Sequence, residues 1–167
     1  NVMQSRELNT VVEDRIWTFE RPVWFSGIRQ RARSTVLRLD DGSVLLHSPA
    51  PPDEALVERL RELGPVRWLV VPNCFHHLGT PAAAASFPEA QVVAPASALK
   101  RNRSLRLDVD VRDERFWKQI PELEALPLRG VPLRASHRQP SSVQAARQLA
   151  GHAHAPQESH SAARRQW

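Results

Sequence analysis

The segment Val66-Arg67-Trp68-Leu69-Val70-Val71 most narrows what this chain can become. A nearly continuous apolar run of this length is the pattern of a strand buried on both faces, and such strands belong to parallel sheets covered by helices. The residues before it supply one covering helix. Pro51-Pro52-Asp53 opens that helix with Asp53 as its N-cap, and Leu56, Val57, Leu60 and Leu63 recur at helical spacing. Glu54, Glu58, Arg59, Arg61 and Glu62 fill its outer face, and Gly64-Pro65 ends it.

Further upstream, Ser34 to Leu39 alternates as a strand, Asp40-Asp41-Gly42 supplies a turn, and Ser43 to His47 returns as the partner strand. Val11 to Phe25 reads as one or two short strands. Its aromatics Trp17, Trp24 and Phe25 are expected to pack in the core, with a partner surface as their other use. Downstream, Thr80 to Ser86 reads as a short helix stopped near Pro88, Gln91 to Ala94 as a strand, and Ser97 to Arg101 as a helical turn. The order of hairpin, helix, strand, helix and strand predicts an α/β domain, layered in the α+β manner.

The pattern changes near Gly130. Residues 131–167 hold few large apolar side chains and are rich in Ala, Arg, Gln, Ser and His, so a loose tail is expected there. The chain uses 21 Arg and two Lys, a bias of GC-rich coding. A frameshifted, non-native ending and a genuine disordered tail fit that composition equally. The domain is therefore placed at 6–130 and the tail at 131–167. The start, at Asn1, suggests a trimmed or truncated chain, and it lacks the layout of a secretory signal.

Charge and cysteine content limit the partners. The net charge is +5, but residues 1–130 hold 18 basic and 17 acidic side chains, so the excess sits in the tail. The patches Arg29/Arg31/Arg33 and Lys100/Arg101/Arg103/Arg106 lack interleaved aromatics for base stacking, and nucleic acid is disfavoured. No stretch reaches 18 apolar residues, so no transmembrane helix and no membrane partner are expected. The single cysteine, Cys74, excludes an internal disulfide framework and fits a cytoplasmic setting.

Four side chains stand where chemistry would collect. His47 ends the hairpin strand, and Cys74, His76 and His77 lie in the loop PNCFHHLG (72–79) after the buried strand. Sites in α/β sheets form beyond the carboxyl ends of the strands, and imidazole and thiolate are zinc ligands. Each residue also has a structural reading: His47 as a hydrogen-bonded strand end, His76 and His77 as groups at a helix start, Cys74 as a small half-buried side chain.

The runs LRLDDGSVLLHSP, GPVRWLVVPNCFHHLG and FPEAQVVAP resemble an uncharacterised bacterial family related to the metallo-β-lactamase superfamily, over roughly residues 6–130. The resemblance implies the amino-terminal half of an αββα sandwich with a metal site at one sheet edge. Laid on the superfamily's HxHxDH motif, the first His falls on Pro72, the second on Cys74, the Asp on His76 and the last His on His77, while its earlier strand-end Asp falls on His47. The metal set implied is thus His77, His76, Cys74 and His47, for zinc or iron, or for no metal at all. The superfamily's later ligands belong to a second half not recognisable here, and His137, His152, His154 and His160 take no family role. Two functions follow: a metal-dependent hydrolase of unknown small-molecule substrate, or a non-catalytic relative that binds or scaffolds a protein partner.

Overall fold

The computed structural model describes residues 8–124, and the tail expectation at 131–167 lies outside them. The elements are β1 (Asn9–Val12), β2 (Ile16–Phe25), β3 (Ile28–Arg38), β4 (Val44–His47), α1 (Glu54–Leu63), β5 (Val66–Val70), α2 (Thr80–Ser86), β6 (Gln91–Ala94), α3 (Ala96–Arg101), β7 (Val109–Asp110) and α4 (Glu114–Trp117). The seven strands form one sheet in chain order. β1 to β4 pair antiparallel, and β4 to β7 pair parallel.

Local chemistry explains the expected elements. Asp53 caps α1, its carboxylate accepting from the Leu56 amide at 2.9 Å. Gly64 ends the helix at φ 146, and a Cβ there would lie 2.2 Å from the Gly42 carbonyl oxygen. Helix end and β3–β4 turn are therefore pressed together, which only glycine permits. The turn itself holds Gly42 at φ 78, with Asp41 accepting from both the amide and the hydroxyl of Ser43.

Side-chain alternation divides the core into two faces of the sheet. Phe19, Val36, Val44, Leu46, Leu69 and Val92 face α1, whose Leu56, Val57 and Leu60 are buried among them. Leu37, Leu45, Trp68, Val70 and Val93 face the opposite way. There Phe116 of α4 meets Trp68 edge-on, with centroids 5.1 Å apart, and Ile120 closes beside it. The segment 102–124 gave no sequence signal, yet it supplies the cover for this second face.

The β2–β3 hairpin is longer than its apolar pattern suggested. Ten pairs, from Ile16↔Leu37 to Phe25↔Ile28, run unbroken to a Ser26-Gly27 turn with φ 50 and 77. Strand β1 stops pairing at Thr18 and β4 stops at Thr35, so residues beyond these continue as a two-stranded ribbon. Pro22 lies in that ribbon. Pairs in an antiparallel ladder alternate in hydrogen bonding outward from the turn, which points its nitrogen away from β3 to the open side. Trp17 is buried as expected and Phe25 is half-buried, but Trp24 is 68% exposed. The core expectation fails for Trp24 because the β2–β3 ribbon that carries it has outrun both flanking strands, β1 and β4.

Candidate functional site

His47 is the last residue of β4, and the loop 71–79 leaves the end of the adjacent parallel strand β5. The fold therefore brings the four expected side chains to one edge of the sheet. Backbone bonds hold that edge. The Ser48 amide donates to Val70 O at 2.8 Å, and Ser34 Oγ donates to Ser48 O and accepts from the Ala50 amide, both at 2.8 Å. Ser48 itself sits at φ 55, an uncommon conformation for a residue with a Cβ, and places its hydroxyl 3.3 Å from His47 Nδ1.

Gly79 ties the two loops together. A Cβ there would lie 2.4 Å from Pro49 O and 2.5 Å from Ala50 Cα, so the loop after β5 lies directly on the backbone after β4. Inside the loop, Asn73 accepts from the Phe75 amide at 2.9 Å through its side chain, and from the His76 amide through its carbonyl. This local turn separates the side chains that follow. Cys74 is half-buried, Phe75 and His76 are exposed, and His77 is buried at 6% exposure.

The electrostatics follow from this placement. Burial first, and then charge repulsion from the nearby His76, lower His47 to about 4. Desolvation lowers His76 as well. His77 is lowered first by burial and then by the Arg101 guanidinium. All three imidazoles are therefore neutral at pH 7. His77 Nδ1 and Thr80 Oγ1 are buried without a hydrogen-bond partner among the described residues. Arg101, from α3, also stacks on the exposed Phe75 ring at 4.5 Å.

The sequence pointed to His47, Cys74, His76 and His77. It missed Ser48, Gly79, Thr80 and the approach of Arg101. Ser48 and Gly79 matter through backbone geometry, and Arg101 comes from another element, so no spacing in the loop signalled them. Whether the four expected residues fit a metal turns on convergence of donors. His47 and His76 lie near each other, whereas His77 is turned into the protein. Among the described residues, no three His, Cys, Asp or Glu side chains converge to hold an ion.

The chain belongs to the family described as Domain of unknown function (DUF4336), whose profile matches residues 13–98. Its fold is similar to part of the metallo-β-lactamase fold. The structure of DIM-1 metallo-β-lactamase exposed to ceftazidime is similar at a TM-score of 0.50 and 16% identity, covering 62% of this chain and 50% of that one. A metallo-β-lactamase from Pontibacter korlensis is similar at 0.48 and 15% identity, over 62% of this chain and 51% of that one. The mono-zinc form of FIM-1 from Pseudomonas aeruginosa is similar at 0.48 and 13%, over 62% and 49%. This chain spans about half the length of these structures. No curated protein matches it. No helix among the described residues is long and apolar enough to cross a membrane.

Proposed function

We propose that this chain is a non-catalytic relative of the metallo-β-lactamase fold that binds a partner or small ligand at the carboxyl edge of its sheet. One observation carries the reading: the loop in the superfamily's ligand position disperses its donors. Pro72 offers no donor, Cys74 is half-buried, His76 faces outward and His77 faces inward. The outward side instead presents Phe75, under Arg101, and Leu78, which is 38% exposed. An aromatic ring, an aliphatic side chain and a guanidinium make a surface suited to recognition. No Asp or Glu lies between positions 72 and 79 to act there as a general base for a hydrolytic water.

A second reading, a metal-dependent hydrolase, is favoured by His47 and His76. Both are neutral at pH 7 and close enough to influence each other, and the neutral imidazole is the form that ligates a metal. It requires a third donor from outside the described residues. Elemental analysis of the purified chain, beside a His76→Ala/His77→Ala variant, separates the two. We expect no stoichiometric metal in either protein. Near-stoichiometric zinc or iron, lost in the variant, would establish the hydrolase reading instead.

A further inference from the structure

We propose that the tip of the β2–β3 ribbon is an interfacial anchor for an anionic lipid surface. At the turn, Phe25 pairs with Ile28 and Trp24 pairs with Arg29. Strand parity puts Val23, Phe25 and Ile28 on one face of the ribbon, and Trp24 with Pro22 on the other. Trp24 and Ile28 are 68% and 62% exposed. The apolar side chains therefore cap the ribbon on both faces. A flat protein surface would cover one face and leave the other in water, whereas the interfacial zone of a bilayer surrounds the whole tip.

Charge complements that geometry. Behind the tip, Arg29, Arg31 and Arg33 follow one another on the Trp24 face, and all three are exposed. Glu20 on the facing strand pairs with both Arg31 and Arg33, at 2.7 and 2.6 Å, so the segment 20–33 still carries three net positive charges. Tryptophan favours the headgroup level of a membrane, and arginines within a Debye length of an anionic leaflet are drawn to it. The lack of a membrane-crossing helix, which led to the expectation of no membrane partner, does not bear on such a contact.

The test is co-sedimentation of the full chain with vesicles of phosphatidylserine and phosphatidylcholine, against pure phosphatidylcholine, at low and high salt. Brominated lipids report depth by quenching tryptophan. We expect binding to the anionic vesicles and weakening with salt. Trp24→Ala/Ile28→Ala should bind at least tenfold less. Arg29→Gln/Arg31→Gln should lose the preference for anionic lipid. Bromine quenching should disappear in Trp24→Phe, which retains an apolar ring but no indole. All replaced side chains are exposed, and far-UV circular dichroism verifies that each variant is folded. Three results would overturn the proposal: no binding by the folded parent chain, equal binding by Trp24→Ala/Ile28→Ala, or self-association through Trp24 without vesicle binding, which would assign the tip to a second copy. Metal analysis does not enter this test, so it stands or falls apart from the functional reading above.

Discussion

His47 shows how much a single half-buried imidazole can decide. Its folded value of about 4 lies below the ordinary 6.5. Between those two values the unfolded chain holds a proton on this residue that the folded chain does not. Stability therefore falls as pH drops from about 6.5 toward 4, and below that the residue adds no further slope. The loss reaches on the order of 2 kcal/mol, since each tenfold change in proton affinity corresponds to about 1.4 kcal/mol and the residue keeps some contact with water. Urea denaturation of His47→Gln across pH 4 to 7 should show a flatter dependence than the parent chain; equal slopes would mean that another group sets it. Gly79 supplies a second residue-scale test. Gly79→Ala should cost about 3 kcal/mol, because the new methyl meets the backbone of Pro49 and Ala50 rather than a movable side chain. A loss under about 0.5 kcal/mol in the same assay would show that the two loops separate easily. His47 was legible in the sequence as a histidine ending an apolar strand. The role of Gly79 was not, because the atoms it approaches are about 30 positions away along the chain.

At the scale of elements, the legible parts were those whose pattern is local. The cap, the helical spacing and the terminating glycine of α1 all lie within one window of sequence, and each has its expected place in the structure. The parallel strand β5 announced itself by being apolar throughout. The outer half of β3, from Ile28 to Arg33, did not: IRQRAR has no apolar alternation, since it pairs with β2 alone, beyond the reach of β4. The last helix was equally silent. Four residues of α4 carry no period, yet Phe116 is buried at 1% exposure against Trp68. Phe116→Ala should therefore lower stability by about 4 kcal/mol, a loss typical of a fully buried phenylalanine. Chemical denaturation followed by tryptophan fluorescence would measure it, and a loss below about 1 kcal/mol would show that the second face does not depend on α4.

Across the whole molecule, the two core faces belong to one continuous sheet, so neither can melt without exposing the other. Far-UV dichroism and tryptophan fluorescence should give coincident unfolding curves. Separate midpoints would show that the helices on the α1 side and the α4 cover come away independently. The layered α/β class was readable because element order survives any uncertainty about element ends. The site was readable only as a location. Its residues reach the same edge, but whether their side chains converge depends on the Asn73 turn and on the way His77 is drawn inward. Those are products of packing, and no spacing rule encodes them.

Pro22 has a consequence for how such a molecule survives in a crowded solution. An uncovered ribbon offers its outer backbone to any passing strand, and chains of this kind join edge to edge into insoluble assemblies. A strand that tried to zip along the open side of β2 would find no proton to share at position 22, and the ladder would stop there. The ring thus lets an apolar tip be carried in the open without the flank beside it seeding a fibre.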